Sequence, residues 1–234
     1  MANKYIPAYW YMSNNFGDNL NYFIIKALTG KEPVMIADKR SEHFIVCGSI
    51  ITEANEKSTV WGAGFGNHGE SISEDINVIA CRGKLSAEAL HKDVLMFDPG
   101  LLMPKLFFPD VATRHKIGII PHWSDMRRAL KILSKKYFII NPLKPVTEVI
   151  TDILSCENII SSSLHGLILS DAYNVPSKFM DFGGNIGGDG FKFQDYYSTT
   201  DRTKESIKNI NDGEFYISPY IYDLNKIILS CPMK

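Results

Sequence analysis

The chain has 234 residues, 45% of them hydrophobic and 22% charged, with a formal net charge of −1. Such a composition belongs to a folded globular protein with enough chain for one large domain or two small ones. The near-zero charge excludes a global field that would gather nucleic acid or anionic lipid, so any anion site must be local.

In chain order, apolar patterning predicts a strand over residues 5–12 and a helix over 19–28, with Leu20, Phe23, Ile24 and Leu28 on one face. The segment NNFGDNLN (14–21) joins them. Gly17 permits a tight turn or a close backbone approach, and Asp18 or Asn19 is a candidate N-cap. The same residues also suit a βα loop whose amides face a ligand. Strands follow over 43–51, 59–62 and 76–81, then a helix over 83–92 and a strand over 94–97. WGAGFGNHG (61–69) contains a literal G-x-G-x-x-G at Gly64, Gly66 and Gly69. A dinucleotide fingerprint needs a full helix next, and here a strand begins at 76 instead, so NAD binding is rejected and the glycines are read as a flexible loop. In ACRGKLSAEAL (80–90), Arg82 stands where a strand meets a helix N-terminus. It is either an anion ligand that offsets the helix dipole or a plain surface arginine.

Residues 103–114 hold Pro104, Pro109 and two adjacent phenylalanines with poor periodicity, and are read as a linker. The alternation then restarts: strands over 116–120, 137–140, 157–161 and 177–181, and helices over 124–134, 146–154 and 164–173. In GIIPHWSDMRR (118–128), His122 leaves a strand as Arg82 does, with Ser124 or Asp125 as cap; it is either functional or an ordinary loop histidine. In ENIISSSLHGLILSDAYNVPS (157–177), Ser161, Ser162 and Ser163 lie between strand and helix, and His165 sits in the first helical turn. The serines can surround an anion at the positive helix end, with His165 titrating beside it, or they can merely cap while His165 bonds the backbone. Beyond the Gly-rich loop FGGNIGGDG (182–190), Lys192 lies in a loop that either closes over a ligand or is ordinary surface. A closing helix is expected over 220–230.

Alternating strands and helices imply βαβ units and parallel sheets. Two half-size α/β lobes, 1–108 and 109–234, would face each other across a cleft at their strand ends. Cys47, Cys81, Cys156 and Cys231 form no CxxC and no Cys/His cluster, so no metal site is expected and a reducing compartment is. Cys47 and Cys81 end apolar runs and read as small hydrophobes. No signal-peptide core and no run of about 18 apolar residues is present, which points to a cytoplasmic protein without a transmembrane segment.

The segments NNFGDNLN, CGSIIT…VWGAGF, ACRGKLSAEAL, FDPGLLMPKLF, IGIIPHWSD, the stretch from Phe138 to Ser177, and FKFQDYYS together resemble the polysaccharide pyruvyl transferase family, in its branch that adds ketals to exopolysaccharide repeat units. The resemblance implies a two-lobed, GT-B-like fold of Rossmann-like lobes. It implies phosphoenolpyruvate as donor and a sugar or lipid-linked oligosaccharide as acceptor, with no cofactor. The family's arginine and histidine map onto Arg82 and His165, and Lys192 is a weaker match. Many members carry arginine just before the Leu-His pair, where this chain has Ser163.

In the chemistry implied, Arg82 and the Ser161–Ser163 helix start hold the donor, with Gly17 and Asn19 on the facing turn. His165 is the general acid/base, and Asp18 or His122 assists from the opposite wall. A lipid-linked acceptor would bring the protein peripherally to a membrane. The rivals are a nucleotide-sugar glycosyltransferase on the same scaffold and a non-catalytic sugar- or anion-binding protein.

Overall fold

The computed structural model of the chain describes residues 4–72, 75–182, 189–202, 210–218 and 223–234. Their strands form two sheets, and every pairing within them is parallel.

The first sheet draws on β1 (Tyr5–Ala8), β2 (Glu32–Met35), β3 (His43–Ile45), β4 (Ser58–Trp61), β5 (Asn77–Cys81) and β6 (Leu95–Met96), in the order β2-β1-β3-β4-β5-β6. The second draws on β7 (His115–Ile120), β8 (Phe138–Ile139), β9 (Cys156–Ser161) and β10 (Ser177–Phe179), in the order β10-β9-β7-β8. In both, the second strand pairs outside the first, so the direction of winding reverses between β1 and β3 and again between β7 and β9. Connections leave such a reversal in opposite directions and open a crevice at the carboxyl ends, where ligands of parallel sheets bind.

Helix α1 (Phe16–Thr29) follows β1 and buries Leu20, Ile24 and Ile25. It begins three residues before the expected start. The cap is Asn15, whose side chain accepts from the Gly17 amide, and not Asp18 or Asn19, which lie inside the helix. Gly30 ends it in the left-handed conformation, φ 69°, with its amide returned to the Lys26 carbonyl. The sequence pattern missed β2, whose Pro33 breaks the strand signal; proline is tolerated there because β2 is the sheet edge. The expected strand over 43–51 stops at Ile45, and Ile51–Glu53 forms a 3-10 turn.

Residues 103–114 are not a linker from their start. After α2 (Lys84–Ala89), a 3-10 turn (Pro99–Leu102) runs into α3 (Met103–Leu106), and Leu101, Leu102 and Met103 are fully buried. In the second half, α4 (Met126–Leu133) starts two residues later than expected, α5 (Val146–Leu154) matches its predicted bounds, and α6 (Leu164–Ala172) follows β9. Every residue of α6 is buried. A helix enclosed all round needs no polar face, which is why its sequence shows so little amphipathic contrast. It packs against the 3-10 turn and α1 from the first half, and one continuous hydrophobic core joins the two sheets.

Lys192 lies on α7 (Phe191–Tyr197) and not in a loop; of the Gly-rich stretch before it, residues 183–188 lie outside the described residues. The closing helix is α8 (Leu224–Leu229), and the expected residues 220–222 lie outside the described ones. Ser230, just after α8, accepts from the indole of Trp61 at 2.9 Å, so the end of the chain returns to the first sheet. No described helix is long and apolar enough to cross a membrane.

Candidate functional site

His165 reaches the site because β9 ends at Ser161 and α6 starts at Leu164, which puts its ring across from the first sheet's winding reversal. The turn into α1 comes so close that a Cβ on Gly17 would lie 2.5 Å from His165 Nδ1. Gly17 is required by this approach, not by an unusual backbone angle. On the ring's other side, Nε2 lies 3.1 Å from Cys47 Sγ and 3.6 Å from Asp98 Oδ2.

Cys47 sits just past β3, pinned to α1 by Asn21, which accepts from the Cys47 amide and donates to its carbonyl, each at 2.9 Å. Asp98 caps the 3-10 turn, its Oδ1 accepting from the Gly100 amide at 2.8 Å. Its Oδ2 is buried without a hydrogen-bond partner, since 3.6 Å to His165 is an ion-pair distance only. Burial opposes ionisation of Asp98, yet the His165 ring, the Gly100 amide and the Arg82 charge together hold its carboxyl below the usual value. Burial, with Asp98 next to it, pushes the Cys47 thiol up and keeps it protonated in the isolated protein.

Arg82 is neither an open anion ligand nor a surface residue. Its guanidinium is fully buried and donates to Asp195 (Nε to Oδ2, 3.0 Å), to the Ser49 hydroxyl (2.7 Å) and to the Phe65 carbonyl. The anion that offsets it is the protein's own. Asp195, on α7, also accepts from the Ser86 amide at 2.8 Å and its hydroxyl at 2.6 Å, so it caps α2 from a distant part of the chain. Of the glycines of WGAGFGNHG, Gly64 serves this contact: a Cβ there would lie 2.5 Å from the guanidinium carbon, so at Gly64 the segment is a seat for Arg82 and not the flexible loop expected.

The serine run is also largely self-satisfied. Ser161 Oγ accepts from the Ser163 amide at 3.0 Å, the Ser162 amide donates to the Ile120 carbonyl at 3.1 Å, and Ser162 Oγ accepts from the His122 amide at 2.7 Å. Ser163 occupies the cap position of α6 without a side-chain capping bond. What the helix start offers an anion is therefore the Ser163 hydroxyl and the first-turn amides of Leu164, His165 and Gly166, which helix geometry leaves without intrahelical acceptors.

Lys192 and His122 complete the group. Burial, and then the neighbouring Arg82 charge, pull the Lys192 ammonium down to about 8, with Asp18 opposing. No carboxylate lies within ion-pair distance of Lys192 among the described residues. Burial, followed by the Lys192 charge, lowers His122, against Asp125 and Asp18. The His122 ring bonds the Ser124 hydroxyl at 2.7 Å. The Asp18 carboxylate accepts from the Ser13 hydroxyl and from Asn15 Nδ2. Asn19 lies elsewhere, in a groove with Tyr22, Phe23 and residues 143–147.

The structure thus brings Gly17 against His165, and sets Asp18, His122, Lys192 and Arg82 where their charges act on one another. Cys47, Asp98 and Asp195 were absent from the expected site. The expectation that no cysteine joins a histidine is overturned by the 3.1 Å contact of Cys47 with His165, 118 positions away.

The family model described as polysaccharide pyruvyl transferase matches residues 2–180. The chain is 27% identical over 219 residues to uncharacterized protein L143 of Acanthamoeba polyphaga mimivirus, across 86% of this chain and 76% of that protein. It is 26% identical over 210 residues to succinoglycan biosynthesis protein ExoV of Rhizobium meliloti (strain 1021), across 82% of this chain and 64% of that one. The chain therefore spans less than two thirds of ExoV's length. Among solved structures, it aligns with the functionally uncharacterized protein KP1_0663 of Klebsiella pneumoniae with a TM-score of 0.46 and 11% identity, over 83% of this chain and 87% of that one.

Proposed function

The chain belongs to the polysaccharide pyruvyl transferase family, and from that premise we propose that it moves the pyruvyl group of phosphoenolpyruvate onto a sugar diol of a polysaccharide or its repeat-unit precursor, forming a ketal. The observation that carries this reading is the meeting of the two sheets at His165, which the second sheet supplies: the first sheet brings Gly17 to its Nδ1 side and Asp98 to its Nε2 side. The two sheets meeting at their carboxyl ends support a GT-B-like scaffold with lobes over 1–108 and 109–234.

The donor carries a carboxylate and a phosphate, and its site needs a cation and oriented amides. Lys192 is the cation, and the α6 amides with Ser163 supply the donors. Arg82 acts through other residues: it fixes α7 through Asp195 and depresses Lys192. A proton delivered to the enol methylene carbon makes C2 electrophilic, one sugar hydroxyl attacks, inorganic phosphate departs, and the second hydroxyl closes the ring. His165 is the proton shuttle, with Asp98 orienting it. Asp18 and His122 assist from the facing wall.

A lipid-linked acceptor would place the reaction at a membrane surface, on the cytoplasmic side that free, buried cysteines favour. The outward face of α4 suits such a surface. It presents exposed Arg127, Arg128 and Lys131, flanked by exposed Leu130 and Ile132, with exposed Trp123 just before the helix.

The reading is tested by titrating phosphoenolpyruvate into the protein by calorimetry, with UDP-sugars as the competing class. Saturable binding that weakens in Lys192→Ala supports it. Binding of a UDP-sugar in its place moves the protein to glycosyl transfer.

A further inference from the structure

Pyruvyl transfer gives no task to Cys47, a buried thiol placed against the proposed proton shuttle. Cys47 and Asp98 both address the same ring nitrogen of His165, at 3.1 Å and 3.6 Å, and Cys47 Sγ lies 3.7 Å from Asp98 Oδ1. A nucleophile–base relay would place the acid on Nδ1 and the thiol on Nε2. Here Nδ1 faces Gly17, so this is not a relay. Three donor atoms instead surround one point, all within 4.8 Å of one another. Neighbouring ligands of a tetrahedral zinc, with Zn–S about 2.3 Å and Zn–N about 2.0 Å, stand about 3.3–3.5 Å apart. The separations of Nε2 from Cys47 Sγ and from Asp98 Oδ2, 3.1 Å and 3.6 Å, differ from this by a few tenths of an ångström. Asp98 Oδ2 adds an independent sign: it is a fully buried carboxylate oxygen aimed at this point with no hydrogen-bond partner. In such a position an unsatisfied oxygen is costly, and a cation satisfies it.

We infer that Cys47, Asp98 and His165 form a binding site for one thiophilic divalent cation of the zinc class. The thiol, imidazole and carboxylate suit zinc or cobalt and not magnesium or calcium, which take oxygen ligands. Binding forms a metal–sulfur bond and releases the Cys47 thiol proton to solvent. Of the three ligands only His165 has any side-chain exposure, 10%, so the ion enters past its ring. With Nε2 coordinated, His165 keeps its proton on Nδ1 and can only donate. An occupied site therefore withholds the proton shuttle. That consequence rests on the proposed role of His165; the site itself does not.

The test is titration of the full chain, reduced and stripped with chelator, with Co²⁺. The site predicts saturation at one equivalent, a thiolate-to-cobalt charge-transfer band in the near ultraviolet, and its loss when Zn²⁺ is added. Cys47→Ser should abolish the band, and Asp98→Asn, which keeps an oxygen but removes the ligand's charge, should weaken binding. Cys156→Ser, at another buried thiol, should change nothing. Circular dichroism melts show that each variant is folded. Absence of the band in the wild type, or its persistence in Cys47→Ser, overturns the site and leaves phosphoenolpyruvate binding to be judged by its own titration. If the band is present but saturating Zn²⁺ leaves turnover unchanged, the site stands and His165 as shuttle is overturned.

Discussion

Gly17 shows how little room the site leaves at single residues. Its α-carbon faces a ring nitrogen at a distance where even one methyl group must displace something. Gly17→Ala is compatible with the helix but forces the His165 ring out of its place between Gly17 and Asp98. Turnover should fall roughly 10²-fold, the loss expected of a misplaced catalytic group, while the melting temperature stays near that of the wild type. A large drop in stability would show instead that the glycine serves folding. Lys192 yields a pH prediction with a definite sign. An ammonium is charged below its pKa, so the cation is present below about pH 8 and lost above it. The kcat/KM for phosphoenolpyruvate, which reports the free protein, should decline as pH rises through 8. Lys192→Arg, which stays charged, should carry the plateau to higher pH. A profile that keeps its break in that variant would assign the titration elsewhere.

At the scale of elements, the Asp195 carboxylate ties α7 to the first sheet. Asp195 joins Arg82 to the amide end of α2, and no solvent reaches any part of the pair. Removing one partner of such a pair leaves a buried charge uncompensated. Asp195→Ala should therefore cost about 3–5 kcal/mol, read as a lower urea midpoint, and it should release Lys192 from its position. Asp195→Asn keeps an acceptor for the Ser86 amide and should recover part of the loss. Equal effects of the two variants would show that the lost charge carries the whole cost and the acceptor none of it. Helix α4 gives a prediction of another kind. Reversing Arg127, Arg128 and Lys131 to glutamate should abolish co-sedimentation with phosphatidylglycerol vesicles, since each basic residue near an anionic surface contributes about 1 kcal/mol. Binding that survives the reversal would assign membrane contact to another face.

At the scale of the whole molecule, the sheets bring together residues that local pattern cannot relate. The alternation of strands and helices was legible, and α5 was read to the residue, because 3.6-residue periodicity is a property of neighbours. The place of His165 was legible too, since a histidine directly after a strand and a serine run stands where parallel sheets collect ligands. Its partners were not. Cys47 and Asp98 sit 118 and 67 positions away in sequence (165 − 47 and 165 − 98). Nothing local separates a thiol ending an apolar run from an ordinary core cysteine. Arg82 was legible as a residue but its burial was not, because the carboxylate that neutralises it arrives from α7, after the second sheet. One signal was available: Asp98 opens a Pro-Gly turn inside FDPGLLMPKLF, and an acid there that caps with one oxygen leaves the other free to work.

The central claim is that His165, held between Gly17 and Asp98, moves the proton in a phosphoenolpyruvate-dependent transfer. The most direct measurement incubates the protein with phosphoenolpyruvate and a panel of diol-bearing oligosaccharides, scoring phosphate release together with the mass of the sugar product. The account predicts stoichiometric phosphate and pyruvylated sugar with the wild type. For His165→Ala it predicts a rate lower by about 10²- to 10⁴-fold, with phosphoenolpyruvate binding retained. Pyruvylated product at an undiminished rate from His165→Ala would contradict it.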